Sequence, residues 1–409
     1  MMKEKKQDIV FFIIVGVLVF LPIIALGDDI GLHYDAINSE YGGQMILSPD
    51  NSEAWYHYIS FPFLSQIYRG VPNLWISLID SLLTGTTSVI QHNIEVTLVF
   101  FTCLVSFYYL LEFFSVKKQI QVLVTIILAV SPSLLTVTLT RFHVGLLGVL
   151  FTIWSCILFM KWREGRKNKK LIFSAIFLGM AFYTYYCFLF FIPMYFILLL
   201  KEKIPWTERI RNGLIFISGF LSGCALYFVG YTEIFLRNID LFKDDILKRV
   251  IASMVMAIFV WGITFLIYFL LKQERWKPVI AICITSILIG IIWLRLVFPQ
   301  VRVIFANIPI RVEKLTLGGR FKLVFKYVEN ILTGRAGEQL IYNEVYARFL
   351  SMFKLLFIAM DVVYVCFIPK TKLLHDKVFG LSLVFLFYLF GNFVFVSRQG
   401  PQHYLPLLF

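Results

Sequence analysis

Residues 9–27 carry no charged side chain, and similar apolar runs recur along the whole length of the chain. They lie near 9–27, 94–113, 119–139, 143–161, 171–184, 186–200, 213–230, 250–271, 278–298, 350–368 and 378–396. A helix rises about 1.5 Å per residue, so about 20 such residues cross the ~30 Å hydrocarbon core of a bilayer. Inside lipid every backbone N–H and C=O must be satisfied within the segment, and a helix does this for one run alone. The expected fold is an all-α polytopic membrane domain of about 11 transmembrane helices, occupying residues 1–409 as one unit. A length of 409 residues would otherwise suggest two or three soluble domains, but 59% hydrophobic and only 15% charged residues override that reading. The first run lacks a small-residue cleavage site and reads as a retained helix, not a signal peptide.

Charge orders these spans. Lysine and arginine concentrate in cytoplasmic loops. Six short segments, "MMKEKK" (1–6), "SVKK" (115–118), "KWREGRKNKK" (161–170), "KEKIPWTERIR" (201–211), "KQERWKP" (272–278) and "PKTKLLHDK" (369–377), hold 21 of the 38 basic residues. All six fall on one side if the N-terminus is cytoplasmic. The uncharged stretch 171–200 lies between two of them, so an even number of crossings must join its ends. It is expected to be a tight helical hairpin turning near "YTYY" (183–186). The opposite, outer face then receives three larger segments, 28–93, 231–249 and 299–349. Within them, Phe321–Leu332 and residues 231–250 show apolar residues at roughly helical spacing and read as amphipathic interfacial helices. The final "GPQHYLPLLF" reads as the start of a twelfth span, truncated or short.

On the outer face, at the mouth of the first span, "GDDIGLHYDA" (27–36) gathers Asp28, Asp29 and Asp35. Ionisable groups this close to hydrocarbon are costly and tend to mark function. A carboxylate there can take a proton from a hydroxyl. As a hard oxygen ligand it could also hold a divalent cation. No HExxH motif and no Cys/His cluster occurs, so no protein metal centre is expected. The six cysteines fall one per apolar segment without CxxC spacing and read as small packing residues. A net charge of +13 raises nucleic acid as a partner, but the basic residues sit between membrane spans, which excludes it.

Several stretches, in order, resemble the GT-C superfamily of polyprenyl-phosphate-sugar-dependent glycosyltransferases, in particular the family-39-like enzymes related to protein O-mannosyltransferases. "LGDDIGLHYDA" (26–36) is similar to the acidic motif that opens their first outer loop, aligned on either Asp28 or Asp35. "YRGVPNLWISLIDSLLTGTTSVIQHN" (68–93) is similar to their juxtamembrane helix and turn before span two. "SPSLLTVTLTRFHV" (131–144), "LGMAFYTYYCFLFFIPMYFILLL" (178–200) and "SRQGPQHYLPLLF" (397–409) resemble the end of their third span, a Gly-aromatic-Tyr hairpin and a late-loop Arg…Tyr-Leu motif.

The resemblance implies a cell-membrane enzyme with its active site on the outer face. It would move a hexosyl or pentosyl group from a polyprenyl-phosphate donor to a hydroxyl of a glycan, lipid or protein acceptor. Asp35 or Asp28 would be the base, with Asp29 and the remaining acid orienting it or holding a cation. Leaving phosphate needs positive charge and hydrogen-bond donors, and arginine's planar fork suits it. Arg398 and His403, beside Tyr404, form the expected phosphate clamp, with Arg141 and His143 as a second contact. Arg69, Arg237 and Arg249 are further outer-face cations. Two other classes compete. A transporter or flippase would place paired charges in mid-span, for which Lys354 and Asp361 are the candidates. An envelope polysaccharide polymerase would keep functional arginines in late outer loops, without an acidic motif after span one.

Overall fold

The computed structural model describes residues 2–26, 59–66, 69–85, 89–114, 116–130, 143–307, 318–319 and 322. The expected spans at 350–368 and 378–396, the Phe321–Leu332 helix and the Lys354–Asp361 pair lie outside these residues. The described chain contains eleven α-helices: α1 Met2–Leu26, α2 Pro72–Thr84, α3 Val89–Phe113, α4 Lys118–Ala129, α5 His143–Gly165, α6 Asn168–Thr184, α7 Ile192–Lys201, α8 Trp206–Gly223, α9 Ala225–Leu236, α10 Ile246–Lys272 and α11 Trp276–Asn307. A short antiparallel pair, β1 Leu64–Gln66 and β2 Arg69–Gly70, precedes α2. Among the described residues four stretches are long and apolar enough to cross a membrane: Ile90–Phe113, Gly145–Gly165, Ile246–Lys272 and Trp276–Pro299. The last two bury only 22% and 6% of their apolar windows within the protein. Surfaces that carry Phe265, Ile258, Ile287 and Ile292 outward are suited to acyl chains, not water.

The residues fall into two compact units, one comprising 1–44, 75–153 and 312–409, the other 45–74 and 154–311. In the first unit α1 packs on α3 and α4. Phe11, Val15 and Val19, four residues apart, form its buried stripe, while Ile13, Val17 and Leu21 face outward. Where the α3–α4 turn carries its basic residues, Tyr108 Oη donates to Asp8 Oδ1 at 3.0 Å, and Lys118 pairs with the same carboxylate. The Lys118 ammonium also sits 4.8 Å over the Tyr108 ring. This knot fastens the start of α1 to the α3–α4 turn.

In the second unit the stretch 171–200 folds back on itself. Helix α6 stops at Thr184, Tyr185 is extended, and a 3-10 turn over Tyr186–Phe191 leads into α7. Ser155 lies level with the middle of both arms: its hydroxyl donates to Ser174 O at 2.7 Å and accepts from Tyr195 Oη at 2.7 Å. At the open end Glu202, just past α7, pairs with both Arg163 and Arg166. The stretch therefore folds back and its two basic flanks meet, as expected from charge, but its arms are not a tight pair: they are bridged through Ser155 of α5.

Helix α6 crosses α8 at backbone contact. Gly219 and Gly223 form a small-xxx-small ridge on α8, against Ala175 and Gly179 of α6. The Gly179 and Gly223 positions are so close that a Cβ added to Gly223 would lie 2.9 Å from the Gly179 Cα. Without a hydrophobic drive between helices in lipid, such close van der Waals contact is a main source of helix association. Helix α10 is tied to α8 by Thr264 Oγ1 donating to Ser218 O, and Trp261 Nε1 donating to Ser222 O, both at 3.0 Å.

Three boundaries differ from expectation. The span read at 213–230 is a bent pair, with α8 and α9 meeting at 50° around Cys224. Residues 231–250 are not one interfacial helix: α9 ends at Leu236, turns follow, and α10 begins after Asp245. The break has a local cause, because Asp245 accepts the Lys248 N–H at 2.9 Å and so caps α10. That same N–H holds the Asp245 carboxyl below its usual range. Finally, α11 runs on to Asn307, past Pro299 and into the segment read as an outer loop.

Candidate functional site

Of the residues singled out from sequence, Asp28, Asp29, Asp35, Arg141, Arg398, His403 and Tyr404 lie outside the described residues. His143 opens α5, but its side chain is also outside them. The structure brings a different set together, at the end of α3 farthest from its basic turn.

Helix α3 begins "VIQHNIE" (89–95). His92 and Glu95, three apart, share one face of the helix. Both are buried, as are Asn93 and Thr97. Ser77 of α2 completes the group. Its hydroxyl donates to Glu95 Oε2 at 3.0 Å, and His92 Nδ1 lies 3.1 Å from the same oxygen. Ser77 Oγ and His92 Nδ1 are 3.4 Å apart. An ionised carboxylate only accepts, so Nδ1 carries a proton in this arrangement. A carboxylate at one ring nitrogen fixes the tautomer and the plane of the imidazole, as carboxylate–histidine pairs do in many sites.

Helix α2 is built inside out. Leu74, Ser77 and Ser81 face inward and are buried. On the opposite side Ile79, Leu82 and Leu83 are 57%, 70% and 81% exposed. A helix beside water would reverse this pattern. The arrangement fits a helix with lipid outside and a polar interior behind it. The ridge continues onto α3, where Ile90, Ile94 and Leu98 are also exposed. The join between the helices is fixed at its rim: Gln91 Nε2 donates to Thr84 Oγ1 at 2.7 Å and to the Asp80 carboxylate. Gly85, at φ +67°, ends α2 with its N–H on Ser81 O at 2.9 Å. Asp80 is thus a bonded rim residue.

A nitroxide on Leu83→Cys, in a cysteine-free background reconstituted in bilayers, is expected to collide far more with oxygen than with a water-soluble nickel chelate. The reverse preference would place the ridge in water and remove the lipid wall.

A second buried charge cluster commits cations that sequence left available. Glu233 is fully buried and takes Arg237 Nε and Nη2 at 3.0 and 2.8 Å, and Arg249 Nε at 3.0 Å. Arg249 also donates to the carbonyls of Phe242 and Lys243, at 3.0 and 2.5 Å. Arg69, in β2, is likewise buried. Arg237 and Arg249 therefore hold a loop together and are not open phosphate contacts. Among the described residues no three His, Cys, Asp or Glu side chains gather to hold a metal ion.

One sequence signal pointed at the His92 group. Glu95 stands inside the run read as span two, and a carboxylate so placed is a functional candidate by default. Compared with known proteins, the chain matches no family model, no curated protein and no solved structure.

Proposed function

We propose that this chain is a membrane glycosyltransferase of the GT-C type, moving a sugar from a polyprenyl-phosphate donor to an acceptor hydroxyl at the outer face. The observation that carries the reading is the inside-out α2 over the buried Ser77–His92–Glu95 group. A reaction between a lipid-borne donor and a polar acceptor needs a polar chamber whose outer wall tolerates lipid. In chain order, α2 and α3 directly follow the loop that opens with Asp28, Asp29 and Asp35. In the proposed reaction Asp35 or Asp28 takes the proton of the acceptor hydroxyl. The acceptor oxygen bonds to the anomeric carbon, and the lipid phosphate leaves with the electron pair. Arg398, His403 and Tyr404, with Arg141 and His143, are the proposed contacts to that phosphate.

Charge placement favours this over transport. Among the described residues the buried charged side chains sit near helix ends or in the 59–71 segment, not in mid-span where a transporter keeps its relay. The test is a transfer assay in membranes with radiolabelled polyprenyl-phosphate sugars, on wild type and on Asp28→Asn, Asp29→Asn and Asp35→Asn. Loss of transfer by about a hundredfold or more in one variant, with normal membrane levels, is expected, as a general base contributes about 10²–10⁴-fold. Full transfer by the triple variant would sink the assignment of the base. An inert wild type would sink the enzyme reading.

A further inference from the structure

We propose that Arg163, Arg166 and Arg209, gathered round Glu202, form a headgroup site for an anionic phospholipid whose acyl chains lie along Trp206 and Ile210. The site is independent of the glycosyltransferase reading and needs no catalytic step.

Three observations lead there. First, the cluster stands where hydrocarbon ends. Arg163 lies in the last turn of the apolar stretch Gly145–Gly165, and Arg209 in the first turn of the bent pair Trp206–Leu236, each long and apolar enough to cross a membrane. Second, three guanidiniums share one carboxylate. Arg163 takes one oxygen of Glu202 and Arg166 the other. Arg209 Nη2 donates to the backbone carbonyl of Glu202 at 2.9 Å, which brings no countercharge. Glu208 is spent on Arg211, at 3.3 Å. Segments 161–170 and 201–211 together hold ten Lys and Arg against three Glu. The Arg163 and Arg166 side chains remain 24% and 37% exposed. Among the described residues the Arg166 guanidinium bonds to protein through Nη2 alone. A phosphodiester supplies the missing negative charge, and its paired oxygens match the guanidinium fork. Third, apolar surface adjoins the charge. Trp206 and Ile210, four apart on α8, are 62% and 45% exposed. The Arg209 guanidinium lies 5.6 Å from the centroid of the Trp206 ring. A free inorganic anion would leave that surface bare, whereas a lipid covers both parts. Tryptophan and clustered arginine are the residues that meet anionic headgroups at a membrane surface.

The competing account is smeared charge: basic loops attract anionic lipid in general, without a site. A local probe separates the two. Thr207 is exposed and lies three residues before Ile210. A bimane on Thr207→Cys, in the full chain freed of its other cysteines, is reconstituted in phosphatidylcholine bilayers. Phosphatidylglycerol or phosphatidylcholine with chains brominated near the headgroup is then added at equal mole fraction. Quenching is expected to show about fivefold or stronger association of the phosphatidylglycerol, the effect of roughly one basic residue near a lipid headgroup or more. Arg166→Gln with Arg209→Gln should bring the two lipids close to equality. Glu202 keeps Arg163 in that variant, so no carboxylate is stranded. Lys167→Gln with Lys169→Gln removes the same charge from exposed positions of the same loop and should leave most of the preference.

Equal quenching by the two lipids with all three arginines in place would overturn the site. Equal losses in the arginine and lysine pairs would reduce it to smeared charge. Loss of the preference on adding millimolar inorganic phosphate would make the ligand a free anion and overturn the lipid assignment. If the glutamine pair does not fold, Arg166→Lys with Arg209→Lys decides. It keeps the charge and removes the fork, so a weakened preference supports the site and an undiminished one overturns it.

Discussion

Replacing Glu233 by alanine is expected to destabilise the protein by about 3–5 kcal/mol, the usual cost of stranding one partner of a buried ion pair. Glu233 is the only acceptor, among the described residues, that neutralises Arg249. The Arg249 side chain is 6% exposed and cannot turn to water when the carboxylate goes. Its other partners, the carbonyls of Phe242 and Lys243, satisfy Nη1 but bring no charge. Arg237 behaves differently. It is 34% exposed, so Arg237→Ala should cost less than about 1 kcal/mol, in the range of exposed pairs. SDS-titrated unfolding in bicelles measures both. The double variant Glu233→Leu with Arg249→Met should recover part of the loss, because no charge is left buried. A Glu233→Ala protein as stable as wild type would mean that Arg249 reaches water by a route absent from the structure.

The second large effect is expected at the α6–α8 crossing. A Cβ on Gly223 would run into the carbonyl oxygen of Ile176 and stand 2.9 Å from the Gly179 Cα. These are backbone atoms, so no side chain can swing aside, and the helices must part. Gly223→Val should therefore cost about 3 kcal/mol, the upper part of the range for overpacking. Gly213, on the same helix, is the control. A Cβ there meets nothing within 4 Å. Gly213→Ala should be neutral or stabilising by up to about 1 kcal/mol, from helix propensity alone. Equal effects at the two positions would show that propensity, not the crossing, governs both.

The runs near 94–113, 143–161, 250–271 and 278–298 were legible as helices long and apolar enough to cross a membrane, because hydrocarbon imposes length and polarity on a segment whatever its neighbours are. The hairpin over 171–200 was legible for a related reason: two basic flanks cannot be joined by one crossing, and Glu202 meeting Arg163 and Arg166 bears that geometry out. The α6–α8 contact was present in the sequence as Gly219-x-x-x-Gly223, but nothing in the spacing names the opposing Ala175 and Gly179. Residues 231–250 misled because their apolar residues recur at roughly helical spacing; on one helix Glu233 and Arg237 would share a face and Arg249 would lie far round from Glu233. Arg237 and Arg249 instead converge on Glu233 across a turn capped by Asp245. The His92–Glu95–Ser77 group was half visible. Glu95 inside an apolar run was a signal, but Ser77 lies 18 residues away along the chain and joins only through the α2–α3 packing.

The paired ends of the hairpin also set an order of events during synthesis. Helix α7 has 10 residues, and even with the 3-10 turn that leads into it the run Tyr186–Lys201 falls short of the about 20 residues that a bilayer crossing requires. Such a segment leaving the translocon has little reason to stay in lipid by itself. By then α6 has already emerged, preceded by Arg163 and Arg166. When the ribosome reaches Glu202, that carboxylate can close the loop and hold both arms in register. The register of this region is then set only after both helices are made, by a residue that belongs to neither.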